Sequence, residues 1–131
     1  MGSVTEYRAQ SEKGWSPLSD DQTLAVEAEA WLEQAGPYVD ERCNRRFLST
    51  FAIYLVKQFR SEEERLRLAR HQDLKCRIND NHRLAQHLRE LMLDLDLGID
   101  VTRGIRTFLG AWMRHRQYSP PSLRAHRMTG N

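Results

Sequence analysis

The chain has 131 residues, of which 40% are hydrophobic and 29% charged, with a formal net charge of +2. That length suffices for one hydrophobic core without disulfides, so a single domain over residues 1–131 is expected, and the composition excludes a disordered or membrane-spanning chain. The basic residues are mostly Arg, interleaved with Asp and Glu rather than gathered in a block, so no specific nucleic-acid partner is expected.

The apolar runs fall short of a membrane span, and the N-terminus lacks the apolar centre of a signal peptide. Cytoplasmic localisation and no membrane partner are the expectations. "MGSVTE" puts Glu6 where a myristoylation signal requires Ser or Thr. Cys43 and Cys76 have no companion at metal-ligand or redox spacing and read as reduced thiols.

Four helices are predicted in chain order. Ser19 or Asp20 caps the first, through "QTLAVEAEAWLEQ", and Gly36-Pro37 stops it. Its stripe runs through Leu24, Ala25, Ala28, Trp31, Leu32 and Ala35, leaving Gln22 and Glu29 toward a margin. The second begins soon after Pro37 and continues to about Leu68 without an interior Gly or Pro, with Leu48, Phe51, Ala52, Leu55 and Phe59 on one face. The pattern weakens around "HQDLKC". A third stripe then aligns Ile78, His82, Ala85 and Leu88, with Leu84, Leu91, Met92 and Leu95 extending it. In "DLGID", Gly98 ends that helix and Asp100 caps the next. The fourth carries Val101, Ile105, Phe108, Leu109, Trp112 and Arg116 on one face, and Pro120-Pro121 terminates it.

The expected fold is all-α: an antiparallel up-down-up-down four-helix bundle with its core over roughly residues 15–118. An N-terminal arm containing Trp15 and a solvated C-terminal tail over 119–131 flank it. Polar residues interrupt the apolar stripes. Continuing the second stripe leads through Gln58 and Glu62, four residues apart and on one face, and a carboxylate there needs a partner because burying a bare charge is costly. His82 interrupts the third stripe and Arg116 the fourth; Gln22 is the corresponding residue at the margin of the first.

The segments "PLSDDQTLAVE", "YLVKQFRSEEE" and "GIDVTRGIRTFLGAWMRHR" resemble the bacterial hemerythrins, four-helix bundles holding an oxygen-binding di-iron centre. The resemblance covers residues 15 to 118. It implies metal ligands at positions occupied here by Gln22, Gln58, Glu62, Ile78, His82 and Arg116, with a further Asp position near Pro121. Only Glu62 and His82 match the family's ligands. His115 precedes the fourth-helix His position by one residue, about 100° around the helix, and is expected to face away.

Two such ligands do not hold a di-iron centre, so no cofactor is expected. Any metal that did bind would have Glu62 and His82. The expected layer instead places the Arg116 guanidinium in the vacated position, paired with Glu62 and completed by Gln58, His82 and Gln22. The resemblance then implies a metal-free bundle serving as a protein-interaction or regulatory module, in bacterial signalling or motility, with a protein partner of unknown identity. The alternative is a metal, oxygen or small-ligand sensor around Glu62 and His82, with His115, His87 or His71 as extra donors. An enzyme is not expected, since no nucleophile with a matching base, phosphate loop or zinc signature is present in the sequence.

Overall fold

The structure is a computed structural model and describes residues 18–117. It contains four helices, α1 (Asp20–Gln34), α2 (Glu41–Leu68), α3 (Leu74–Asp96) and α4 (Thr102–Gln117), and no strand among the described residues. The expected arm with Trp15 and the tail with Pro120-Pro121 lie outside those residues. No helix among the described residues is long and apolar enough to cross a membrane.

Local chemistry sets the boundaries. At α1, the Gln22 amide N–H donates to Ser19 Oγ at 3.1 Å and the Ser19 N–H donates to Gln22 Oε1 at 2.9 Å, a reciprocal capping box. Asp40 caps α2 by accepting from the Cys43 N–H at 2.9 Å. Beyond α2, the His71 N–H reaches the Leu66 carbonyl at 2.9 Å and the Arg70 N–H reaches that of Arg67 at 3.0 Å. This closure puts Arg70 in the left-handed region, at φ 50°. The same closure ends α3, but there Gly98 takes the left-handed position, at φ 82°.

The core follows the apolar stripes. Phe51 sits near its centre, with ring centroids 5.2 Å from Phe47, 5.6 Å from Phe108 and 5.1 Å from Trp112. Consecutive helices make the principal contacts. Between α3 and α4 the approach is close: a Cβ on Gly104 would lie 2.5 Å from Leu91 Cδ2. Arginines bridge α1 and α4, with Arg116 meeting Asp21, while Arg106 lies over the Trp31 ring and donates to the Gly36 carbonyl.

One buried polar knot joins the α1–α2 connection to the start of α4. Trp31 Nε1 donates to Asn44 Oδ1 at 3.0 Å, and Asn44 Nδ2 donates to the Val39 carbonyl at 3.2 Å and to Thr102 Oγ1 at 3.3 Å. The Val39 N–H also donates to Thr102 Oγ1, at 3.1 Å, and that hydroxyl donates to Asp100 Oδ1 at 2.8 Å. No buried side-chain nitrogen or oxygen among the described residues is left without a partner.

Candidate functional site

A second polar cluster lies where α2, α3 and α4 converge. Its carboxylate is Glu62, as the second stripe predicts, but its cation is Arg77 rather than Arg116. Arg77 Nε donates to Glu62 Oε1 at 2.8 Å, with the Arg77 side chain 6% exposed and that of Glu62 21% exposed. Asn81 Nδ2 donates to Glu62 Oε1 at 3.2 Å and to Glu63 Oε2 at 2.8 Å.

The displacement from Arg116 to Arg77 arises at the N-terminal part of α3, where the inward line runs one residue away from Ile78 and His82, while Leu84, Leu88, Leu91 and Leu95 lie on the predicted stripe. Its inward residues are Arg77, Asn81, Leu84, Leu88, Leu91 and Leu95, spaced by alternating fours and threes. Ile78 is only half-buried and His82 is exposed, because each stands one residue, about 100°, from that line. His82 therefore does not join Glu62.

α4 departs from expectation in a related way. His115, expected outside, is the inward residue: its ring lies 5.2 Å from that of Phe59, and its Nε2 is 2.6 Å from Asn81 Oδ1. Arg77 Nη2 reaches His115 Nδ1 at 3.2 Å and the His115 carbonyl at 3.1 Å. Because Asn81 Oδ1 and Arg77 have fixed roles as acceptor and donor, the network assigns the neutral Nε2–H tautomer, with Nδ1 accepting. Burial, and then the neighbouring Arg77 charge, lower the His115 pKa to about 4.

The remaining predicted residues go elsewhere. Arg116 donates through Nη2 to Asp21 Oδ2 at 2.6 Å and through Nε to Asp21 Oδ1 at 3.2 Å, over the Trp112 ring, and the hydrogen bond to Asp21 raises its pKa. Gln22 is exposed and committed to the α1 cap. Gln58 is half-buried and lines a cleft of about 300 Å³ with Phe59, Glu62, Trp112, His115 and Arg116. Among the alternative donors, His87 packs edge-on against Phe108 and His71 Nδ1 accepts from the Asp73 N–H at 3.1 Å. Cys43 and Cys76 are exposed free thiols.

This donor set does not fit a di-iron centre. The Arg77 guanidinium lies between Glu62 Oε1 and His115 Nδ1 and directs hydrogens at both, so the electron pairs that would bind a cation already accept from a protein cation. Nor do three His, Cys, Asp or Glu side chains among the described residues gather in an arrangement able to hold a metal ion. What the cluster can do chemically is pair the Glu62 carboxylate with Arg77 and Asn81 and keep His115 neutral.

Arg77 and Asn81 had a sequence signal. Stepping back from Leu95 through Leu91, Leu88 and Leu84 by fours and threes lands on both of them. Their polarity hides that continuation from a search for apolar residues.

No protein-family model matches the chain, and no curated protein or solved structure shows significant similarity to it.

Proposed function

We propose that the protein is a metal-free, hemerythrin-like antiparallel bundle that acts as a protein-interaction or regulatory module in a bacterial cytoplasm. The observation that carries this reading is the Arg77 guanidinium held between Glu62 and His115. In the resemblance, the third helix contributes an His-x-x-x-His pair. Moving that pair one residue back, to the inward positions, places it on Arg77 and Asn81, so that neither ligand is retained and Glu62 remains the family's one match.

The up-down-up-down order is supported by the sequence order of contacts. Along α2, Arg45 and Glu62 meet Asp96 and Arg77, in reversed order on α3, while Asn44, Phe51 and Phe59 meet Thr102, Phe108 and His115, in forward order on α4. The interaction role is supported at the end remote from Glu62. There Tyr38 and Ile99, 64% and 48% exposed, share a cleft of about 160 Å³, with exposed Leu97 nearby in sequence.

The test combines elemental analysis of untagged protein with a photo-crosslinking residue at Tyr38 or at Ile99, and a control at exposed Arg89. Absence of stoichiometric iron, together with a discrete and saturable adduct from Tyr38 and Ile99 alone, is the expected outcome. Two iron atoms per chain would overturn the metal-free part, and equal labelling from all positions would overturn the docking part.

A further inference from the structure

On the other side of the Arg77–His115 contact, a cleft of about 390 Å³ opens between α3 and α4. Leu84 and Ala111 form its apolar floor, and His87, packed edge-on against Phe108, forms a wall. Arg83 and Arg114 stand at the rim.

The rim carries more positive charge than its surroundings neutralise. Arg77 is already paired with Glu62, and His115 is neutral in the tautomer described above. Arg83 is highly exposed and meets Asp80 at 4.0 Å, the outer limit of an ion pair. Arg114 has no ion pair among the described residues; its Nη1 lies 3.7 Å from where a Gly110 Cβ would stand, so the side chain folds back along α4. Among the described residues, Asp80 is the one carboxylate lining the cleft, against these arginines.

We infer that this cleft binds a small organic anion, a carboxylate or sulfonate on a short apolar body, with the body on Leu84 and Ala111 and the anionic group between Arg83 and Arg114. The volume lies within the usual range for small-molecule sites, about 300–1,000 Å³, and the lining sets an apolar patch at Leu84 and Ala111 among charged and polar side chains. Arginine suits the anionic end, because its planar donors meet two oxygens at once. A purely inorganic anion would leave the apolar floor unused, and a neutral amphiphile would leave Arg114 uncompensated. This site does not depend on the interaction reading, since it uses a different surface.

The experiment is an NMR titration of the full chain with octanoate, following the Leu84 and Ala111 methyl signals, with acetate and 1-hexanol as the two partial probes. Octanoate is expected to shift both methyls saturably, with each partial probe at least about tenfold weaker, hexanol for want of the charge-assisted hydrogen bonds and acetate for want of the apolar body. Arg114→Gln and Arg83→Gln should each weaken octanoate by about three- to tenfold, while Asp80→Asn should tighten it by removing the opposing carboxylate. Arg89→Gln, on exposed α3 surface, should change nothing. Circular dichroism confirms that each variant is folded before it is titrated. Hexanol binding as tightly as octanoate, indifference to both arginine changes, or shifts confined to exposed Leu93 and Leu97 would each overturn the assignment.

Discussion

Replacing Arg77 by Met tests the centre of the cluster. The substitution keeps most of the buried aliphatic volume and removes the donors to Glu62 Oε1 and to His115. Stripping one partner from a buried ion pair costs about 3–5 kcal/mol. Glu62 retains 21% of its side-chain exposure and the hydrogen bond from Asn81, so the lower end, about 3 kcal/mol, applies. With a urea m-value of about 1.5 kcal/mol/M, the midpoint should fall by about 2 M at unchanged slope. Trp31 and Trp112, both buried, report the transition by fluorescence. Adding Glu62→Leu should recover much of the loss, because removing both charges also removes the desolvation cost of each. An Arg77→Met protein as stable as the parent, or a double variant no better than the single, would refute the ion-pair account of the cluster.

Arg116→Ala should cost less than about 1 kcal/mol, since its pair with Asp21 is about one-third exposed on both sides, and a larger loss than Arg77→Met in the same urea series would reverse the assignment of roles. Arg70→Gly should stabilise by about 1 kcal/mol in thermal or urea unfolding, because the left-handed conformation at φ 50° penalises a residue with a Cβ; a loss of stability would show that its side chain contributes more than the strain costs. His115 should make stability depend on acid in a definite direction. With its pKa lowered to about 4 in the folded protein, against about 6.5 unfolded, the unfolded chain binds the proton first, so stability is full above about pH 6.5 and declines as pH falls toward 4. Discounting for its partial solvent screening leaves about 1–2 kcal/mol, read as the difference between the parent and His115→Gln at pH 7.5 and 4.5; parallel pH profiles would contradict the buried neutral imidazole.

Features governed by apolar burial or by local backbone chemistry were legible in the sequence. Ser19, Asp100 and Gly98 act at helix boundaries through chemistry set within a few residues, and Phe51, Phe108 and Trp112 are buried where their stripes place them. Glu62 was legible as a carboxylate in need of a partner. The partner was not, because apolar periodicity weights Arg and Asn as outward-facing, whereas Arg77 and Asn81 are buried with both donating to Glu62. The isoleucine and histidine one residue along offered a more apolar continuation, which drew the N-terminal part of the third stripe about 100° off, while Leu84, Leu88, Leu91 and Leu95 are buried where it places them. Gln22 and Arg116 failed for another reason: each has a nearer partner, the Ser19 backbone N–H for one and Asp21 for the other. A stripe gives a direction for the Cβ, and a long polar side chain then follows the closest compensating charge or dipole.

The two polar clusters lie at opposite ends of the aromatic core and bear on how the proposed sites would communicate. The Asn44–Thr102 knot fixes the start of α4 beneath the end carrying Tyr38 and Ile99, and the Arg77 cluster fixes the end of α4 through the His115 carbonyl and ring. Each group has its partners in only one register of α2 against α4, so sliding α4 by a turn would leave buried donors unmet at both ends. Arg77 and His115 are also the shared wall between the 300 Å³ cleft beside Glu62 and the 390 Å³ cleft between α3 and α4. An anion in the second cleft would act on the Arg77 that neutralises Glu62 in the first. That shared cation is a physical route for coupling, but it shifts an equilibrium only as far as the anion binds one arrangement of Arg77 better than another. A cation held rigidly by Glu62 and His115 would therefore transmit little, and a coupled response at the Tyr38 end would require α4 to move as a unit, against both polar clusters at once.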